Sequence, residues 1–329
     1  MPADGIHIAA GIHSPVPNVA RSPRGRHARA CFGDPTGRTV AETLFWGPPG
    51  DDAAATMTSN FGPGLHVASG RPVDISAYDR YIGRWSRLFV PSMLAAAEIT
   101  AGAKVLDVAT GTGEAALMAF PIVGTSGLVI GTDIAPAMLG AARGRLNQPS
   151  FPPVAADGQA LPFSDASFDA VICQLGLQFF PDPARGLAEF RRVLRPGCRA
   201  AVCVISTADR APMWGILCDA LSRFLPEQCD VLALSFALAD PKRLENIFAG
   251  ASFRDISIER ETRPVVFDSI DEYWAPIEAG IGSLPQAYLS LPEVDRRAAR
   301  EEISARLSRF GSDGKLRMSV EMLIGKGRA

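Results

Sequence analysis

The sequence predicts a doubly wound α/β fold, in which helices cover both faces of a largely parallel sheet. From residue 75 onward, strand-like and helix-like segments alternate along the chain. The first strand candidates are short, continuous apolar runs, as in strands that are buried on both faces. The chain has 329 residues, of which 47% are hydrophobic and 17 are Phe, so it can bury a substantial core.

Seven segments have the pattern of strands and seven have the pattern of helices. The strands are expected at residues 104–109, 127–132, 152–156, 168–174, 199–205, 253–260 and 317–324. The helices are expected at residues 76–98, 113–122, 136–146, 183–194, 212–225, 240–249 and 292–310.

Residues 1–70 differ in composition from the rest of the chain. They are rich in Gly, Pro, Ala, Thr and Arg and show no sustained helical or strand period, so we expect a poorly ordered N-terminal tail. Residues 21–29 are basic, as in a transit peptide, but prolines interrupt any amphipathic helix. An extension upstream of a natural start at Met57 is an equally good interpretation. The working domain is expected at residues 71–329.

Composition and residue placement argue against several functional classes. Lys and Arg total 33 against 35 Asp and Glu, so the basic excess typical of nucleic-acid binding is missing. The sequence contains no run of 18 apolar residues, so we expect no membrane span. We also expect a cytoplasmic protein. The six cysteines are scattered without a C-x-x-C pair, and all four histidines fall within the first 66 residues. We therefore expect reduced thiols, no metal site and a chemistry without histidine.

The segment KVLDVATGTGEAALMAF, residues 104–120, carries the strongest functional signal. An apolar strand contains Asp107, a turn of small residues follows, and a helix opens at Glu114. Glycines allow a ligand to approach the backbone closely, and a helix N-terminus presents free amide groups. Asp133 follows Gly113 by twenty residues, at the end of the second strand, where a carboxylate can accept both hydroxyls of a ribose. These features predict a ligand that contains adenosine.

Two ligand classes share this signature. Residues 111–116 fit G-x-G-x-x-G/A, the fingerprint of dinucleotide binding. Asp107 favours S-adenosylmethionine instead, because an acid near the turn would repel a pyrophosphate but can meet a ligand ammonium through water. Asp157 and Gly158 follow the third strand, where they can bind the adenine edge. Two alternatives remain open: Asp133 as a cap of the next helix, and Asp157 as a turn former.

This order of motifs resembles the class I S-adenosylmethionine-dependent methyltransferases, and within them the subgroup similar to the ubiquinone/menaquinone-biosynthesis methyltransferases. The resemblance spans about residues 75–260. It implies a seven-stranded Rossmann-like methyltransferase sheet with helical lid insertions. In this chain the lid helix would be residues 76–98, and the insertions would be residues 209–237 and 268–314.

The resemblance also implies a cofactor role for particular residues. They are Tyr78 and Arg84 in the lid; Asp107, Ala109, Thr110, Gly111 and Gly113 in the first motif; Asp133, Ile134 and Met138 beside the ribose and adenine; Asp157 and Gly158 at the adenine edge; and Gln174 at the end of the fourth strand. One position departs from the family pattern. Ala109 stands where the first glycine of the turn is usual, and its methyl group narrows the space beside the turn.

The lid and the two insertions are rich in aromatic and aliphatic residues, which suits a small, largely apolar acceptor. The acceptor candidates are Tyr81, Trp85, Gln178, Trp214 and Trp274. The same faces could instead form core or the contact of a homodimer. We expect an in-line transfer of a methyl group from a sulfonium and assign no catalytic residue. The competing hypotheses are an NAD(P)-dependent oxidoreductase and a non-catalytic partner protein with this fold.

Overall fold

A mixed sheet organises the part of the chain that this computed structural model describes, residues 75–146, 151–280 and 282–329. Its strands are Lys104–Val108 (β1), Leu128–Asp133 (β2), Val154–Ala155 (β3), Phe168–Gln174 (β4), Leu194–Ile205 (β5), Arg254–Phe267 (β6), Gly311–Ser312 (β7) and Lys315–Arg328 (β8). The spatial order is β3-β2-β1-β4-β5-β8-β6, and β7 pairs with β8. Strand β8 runs antiparallel to both of its main neighbours, β5 and β6. The predicted doubly wound α/β class is confirmed.

Helices connect these strands and form the segments outside the sheet. They are Ile75–Tyr78 (α1), Arg84–Ser86 (α2), Val90–Ala96 (α3), Glu114–Val123 (α4), Pro136–Leu146 (α5), Pro183–Val193 (α6), Pro212–Phe224 (α7), Cys229–Leu232 (α8), Pro241–Gly250 (α9), Ile270–Glu278 (α10), Ser283–Ser290 (α11) and Glu293–Leu307 (α12). A π-helical turn spans Asp79–Gly83, and short 3-10 turns occur at Leu177–Phe179, Pro226–Gln228, Ala233–Phe236 and Ser308–Phe310. Among the described residues, no helix combines the length and apolarity needed to cross a bilayer.

The predicted continuous helix at 76–98 is wrong. The chain forms α1, a π-helical turn, α2 and then α3, with a break between Ser86 and Val90. Gly83 leaves room for the side chain of Asp79 in the π-helical turn, because a Cβ at this position would lie 2.6 Å from Asp79 Oδ1. A new helix begins at Val90 with Pro91 in its first turn, where proline needs no amide hydrogen.

The other elements follow the predicted order, with differences at their ends. Strand 168–174 and helix 136–146 have the predicted bounds, whereas the third strand is only two residues long. Strands β6 and β8 are longer than predicted and pair as far as Phe267 and Leu316. Strand β5 ends opposite Met322, so this two-stranded extension passes beyond the sheet on the side where the parallel strands end. The insertion at 268–314 holds α10, α11 and α12 rather than the single predicted helix. It also contains the short strand β7, which was not predicted and brings the described sheet to eight strands. The predicted tail at 1–70 lies outside the described residues.

Buried side chains alternate between the two faces of the central strands, as the strand period of two requires. Val105, Ile172 and Cys203 pack into one large cluster together with the helices on the lid side. Leu106 and Val171 are equally inaccessible to solvent but lie outside that cluster. The sheet is therefore covered on both faces. A ligand crevice is expected at its carboxyl edge between β1 and β4, where the strand order reverses.

Replacement of Ile172 by Ala should lower the free energy of unfolding by about 2–5 kcal/mol, because it leaves a cavity between β4 and the packed helices. Ile122, which is 38% exposed on α4, provides the matched control. Its replacement by Ala should cost less than about 1 kcal/mol. Urea unfolding of both variants measures the difference, and equal costs would contradict this description of the core.

Candidate functional site

The glycine turn, residues 109–113, joins β1 to α4 in a left-handed backbone conformation. Ala109, Gly111 and Gly113 have φ values of +56°, +55° and +84°. A non-glycine residue pays about 1 kcal/mol for this conformation, so Ala109 is held there by its surroundings. A Cβ at Gly113 would lie 2.8 Å from Leu146 Cδ1, which shows how closely α5 packs on the turn.

Asp133 fixes the glycine turn from the end of β2. Its Oδ2 accepts a hydrogen bond of 2.9 Å from the amide of Gly111, and its Oδ1 accepts one of 2.9 Å from the amide of Ala135. The second contact goes to Ala135, whose carbonyl accepts the amides of Met138 and Leu139, so Ala135 rather than Asp133 is the cap residue of α5. Burial raises the pKa of Asp133, and the two amides oppose that shift. Each carboxylate oxygen still has a lone pair for a ligand hydroxyl.

Asp107 is a buried carboxylate with an unused oxygen. Its side chain is 1% exposed, and Thr110 donates a hydrogen bond of 2.7 Å to Oδ2. Oδ1 has no hydrogen-bond partner among the described residues. Burial raises the pKa of Asp107 to about 7, and the Thr110 hydroxyl and the nearby backbone of Ala116 oppose the shift. A buried polar atom without a partner is costly, so this oxygen is suited to a ligand that brings a donor or a positive charge.

Asp157 lies at the strand end next to that of Asp133. The amide of Ala156 donates to the carbonyl of Asp133 at 3.1 Å, which joins the ends of β2 and β3. Asp157 Oδ1 accepts from the amide of Gln159 at 2.8 Å and from its side chain at 3.1 Å. A Cβ at Gly158 would lie 2.3 Å from the ring of Phe180, so only glycine fits. The two carboxylates thus share one edge of the sheet.

The N-terminal segment covers the glycine turn. The hydroxyl of Tyr78 lies 3.3 Å from the position of a Cβ at Gly111. Burial raises the pKa of Tyr78, and the nearby Asp133 adds to the shift. Gln174, at the end of β4, donates a hydrogen bond of 2.7 Å to the carbonyl of Ser86. Both residues therefore connect the sheet edge to this segment.

Ile134 and Met138 are half-buried at the start of α5, directly after Asp133. The amide of Met138 donates to the carbonyl of Ala135 at 3.0 Å, in the first turn. The amide of Thr110 donates to the carbonyl of Thr132 at 2.9 Å and links the glycine turn to β2. Ile134, Met138 and Thr110, all predicted to contact the cofactor, therefore lie next to the sheet edge that carries Asp133. Their roles toward a ligand stay predictions.

Other predicted residues lie elsewhere or make different contacts. The guanidinium of Arg84 binds Glu272 and the carbonyl of Val266, and it lies over the ring of Trp85. Trp85 packs edge-on against Phe267, with ring centres 4.8 Å apart. The side chain of Tyr81 lies outside the described residues. Arg84 and Trp85 thus contact the extension formed by β6 and β8 rather than the glycine turn.

The remaining acceptor candidates are buried. Trp214 is part of the large cluster, and the Trp274 indole donates to Ser304 Oγ at 3.0 Å. Gln178 is 2% exposed, and neither atom of its amide has a partner among the described residues. It lies in the 3-10 turn that packs against Ala233–Phe236 of the first insertion. A buried amide of this kind needs partners, so Gln178 is the candidate best suited to a ligand.

Sequence reasoning missed two features of the site. A Cβ at Gly176 would lie 2.4 Å from Ala109 Cβ, so this glycine makes room for the alanine that departs from the family pattern. Arg145 joins Asp79 and Glu114 by ion pairs. Nothing in the sequence spacing links these three residues. Among the described residues, no group of three or more His, Cys, Asp and Glu side chains could hold a metal ion.

Comparison with known proteins agrees with this geometry. Residues 106–202 match the family model described as a methyltransferase domain. This segment is thus similar to methyltransferase domains. It contains the glycine turn, Asp133, Asp157 and Gln174, so the resemblance predicted from the motifs is confirmed. The insertions lie outside the matched residues.

Named relatives match about 130 residues of this chain. The chain is 39% identical over 132 residues to a demethylmenaquinone methyltransferase of Corynebacterium kroppenstedtii, covering 40% of this chain and 55% of the relative. It is 40% identical over 131 residues to a ubiquinone/menaquinone biosynthesis C-methyltransferase of Xanthomonas campestris, covering 38% and 50%. The chain thus spans about half the length of these relatives.

A solved structure has a similar fold. Phosphoethanolamine N-methyltransferase 2 of Haemonchus contortus, in complex with S-adenosyl-L-methionine, has a TM-score of 0.50 and 16% sequence identity. The comparison covers 77% of this chain and 56% of that one. At this identity it supports the Rossmann-like fold alone.

Replacement of Asp107 by Asn should change how stability depends on pH. The native carboxyl holds its proton up to about pH 7, whereas the unfolded one loses it near pH 4. The native state therefore binds more protons in this range, and its free energy of unfolding falls as the pH rises from about 4 to 7. The Asn variant loses this dependence, so its stability relative to the original chain should increase with pH.

Urea unfolding at pH 5 and pH 8 tests this expectation. Asp230→Asn, at an exposed position on α8, is the control and should show the same stability difference at both pH values. An Asp107→Asn variant that behaves like this control would contradict the raised pKa.

Proposed function

We propose that this protein binds S-adenosylmethionine at the carboxyl edge of the sheet and transfers the methyl group to a small, largely apolar acceptor. The observation that carries the proposal is the position of Asp133 and Asp157 at neighbouring strand ends, beside the glycine turn. The buried, unpartnered oxygen of Asp107 supports a ligand with positive charge, such as an ammonium or sulfonium.

The residues present fit this cofactor. Asp133 would accept hydrogen bonds from the ribose hydroxyls, and Asp157 with the amide of Gly158 would bind the adenine edge. The backbone of the glycine turn would pack against the methionine end, near Asp107, while the amides of Thr110 and Gly111 keep their bonds to Thr132 and Asp133. When bound, the cofactor supplies a methyl group on a positively charged sulfur, which needs positioning and exclusion of water more than it needs an acid or base. The lid side chain of Tyr78 would help to exclude water.

The acceptor would bind against segments that the methyltransferase-domain match does not include. The insertions at 209–237 and 268–314 are largely apolar where they are buried, which supports a small apolar acceptor. The relatives are named for demethylmenaquinone methylation and for C-methylation in ubiquinone/menaquinone biosynthesis. Their names favour an acceptor of similar chemistry. Gln178, whose amide has no partner among the described residues, would supply a polar contact to such an acceptor.

Two competing functions are less well supported. A dinucleotide-dependent oxidoreductase would bring a pyrophosphate to the glycine turn, where the carboxylates of Asp107 and Asp133 would repel it. A non-catalytic partner protein would retain the fold without needing an unpartnered carboxylate oxygen in it. A cytoplasmic location, a homodimer and the lack of nucleic-acid binding stay predictions from the sequence.

Replacement of Asp133 by Ala should weaken S-adenosylmethionine binding by about 1–3 kcal/mol, because the ribose hydroxyls lose their acceptor. Titration calorimetry measures the affinity. Asp133→Asn is the companion variant, since its side-chain oxygen can still accept one backbone amide while the negative charge is lost. Exposed Asp230→Asn is the control and should bind as the original chain does.

Unchanged affinity in Asp133→Ala would remove the ribose assignment. A titration with NADH, monitored by NADH fluorescence, tests the oxidoreductase hypothesis, which predicts tight binding of NADH. Release of S-adenosylhomocysteine in a screen of small apolar acceptors then tests catalysis, and a complete lack of turnover across the screen would favour the non-catalytic partner.

A further inference from the structure

Arg145 connects three elements that surround the proposed cofactor site. It lies in the last turn of α5, and its Nη1 is 3.1 Å from Asp79 Oδ1 in the segment that covers the glycine turn. Its Nη2 is 2.5 Å from Glu114 Oε2, on the first residue of α4. Nη1 is also 3.4 Å from the hydroxyl of Thr112 in the glycine turn. We call residues 75–86 the lid segment.

These charges lie largely out of water. The exposed fractions of the side chains are 18% for Arg145, 13% for Glu114 and 28% for Asp79. Ion pairs in such surroundings are screened less by salt than fully exposed pairs and contribute more to the position of the groups that they join. Asp79 is the only member of this trio on the lid segment, so the Arg145–Asp79 pair is the contact that lid opening would break.

The lid segment is closed over the glycine turn in this structure. Tyr78 is half-buried above Gly111, in the space that the methionine end of the cofactor would approach. Because Tyr78 lies over the glycine turn, we expect entry and release of a nucleoside-sized ligand at this edge to involve movement of the lid segment.

The two ends of the lid segment are held differently. Near its C-terminal end, Gln174 binds the carbonyl of Ser86, and Arg84 binds Glu272 and the carbonyl of Val266. These contacts anchor it to the sheet and to the β6–β8 extension. Toward its N-terminal end, Asp79 reaches across to Arg145. An opening motion would thus pivot near Ser86 and separate Asp79 from Arg145.

We propose that Arg145 is a positioning residue that latches the lid segment over the cofactor and sets the rate of cofactor exchange. In the closed state Arg145 binds Asp79, Glu114 and Thr112 together. In the open state it keeps Glu114 and Thr112, which belong to the domain body, and loses Asp79. The identity of the ligand rests on the proposed function, but the latch itself is a property of the ligand-free chain.

Gly83 offers a way to break the latch without changing any charge. A Cβ at this position would lie 2.6 Å from Asp79 Oδ1, so Gly83→Ala must displace the carboxylate that Arg145 binds. The backbone of Gly83 has φ −56° and ψ −43°, which alanine adopts readily. Helix propensity alone predicts that Gly83→Ala makes the lid segment more ordered, whereas the latch predicts that it opens more often.

Hydrogen–deuterium exchange of the ligand-free full chain, followed by mass spectrometry, tests the latch. Peptides of the lid segment should exchange about 5- to 10-fold faster in Arg145→Ala, and faster also in Asp79→Asn and Gly83→Ala, while peptides of β4 and β5 keep their rates. Arg145→Lys should lie between Arg145→Ala and the original chain. Arg143→Ala, at an exposed position in the same helical turn, is the control and should change nothing.

The double variant Asp79→Asn/Arg145→Ala should exchange no faster than Arg145→Ala alone, because both changes remove the same contact. Lid exchange equal to that of Arg143→Ala would overturn the latch. Faster exchange spread equally over the lid and the sheet would overturn it as well, since Arg145 would then be a general structural residue.

Cofactor kinetics provide the second readout. The dissociation of S-adenosylhomocysteine should be about 5- to 10-fold faster in Arg145→Ala, with a raised KM for S-adenosylmethionine. An unchanged dissociation rate would overturn the role in exchange. If the original chain binds neither compound, the proposed function fails, and the exchange rates of the lid segment still decide on the latch.

Discussion

The carboxylate of Asp133 is the contact on which the rest of the site depends. Its two oxygens bind the amides of Gly111 and Ala135, and its backbone carbonyl accepts the amide of Ala156. One residue therefore sets the relative position of the loops that follow β1, β2 and β3. Burial of this carboxylate is costly, and the amide donors offset part of that cost. The glycine turn and the adjacent acidic strand end become a single rigid edge as a result.

Beside this edge, a glycine makes room for the side chain of Ala109. Ala109 brings a methyl group into a turn where glycine is usual, and Gly176 provides the space for it from the loop after β4. Outside the edge, the two insertions pack on each other, as the hydrogen bond of 2.9 Å from the Tyr273 hydroxyl to the carbonyl of Met213 shows. The chain thus combines a segment similar to methyltransferase domains with helices that pack on each other outside that segment.

The sequence predicted those parts of the site that follow from local periodicity and from sheet topology. The carboxyl ends of neighbouring parallel strands share an edge, so the closeness of Asp133 and Asp157 followed from the order of the strands. The partner of Arg84, Glu272, is 188 residues away and could not be inferred from spacing. Arg145 with its two acids was missed for the same reason. Trp214 and Trp274 were assigned to an acceptor site because apolar composition does not distinguish a pocket wall from a packed interior.

A crystal structure of this protein with S-adenosylhomocysteine is the most direct test of the central claim, that one nucleoside is bound by two carboxylates at adjacent strand ends. The account predicts the ribose hydroxyls within hydrogen-bond distance of Asp133, the adenine edge beside Asp157 and Gly158, and the amino acid end over the glycine turn. Density for the ligand at another edge of the sheet, or a nucleoside in contact with neither carboxylate, would contradict it.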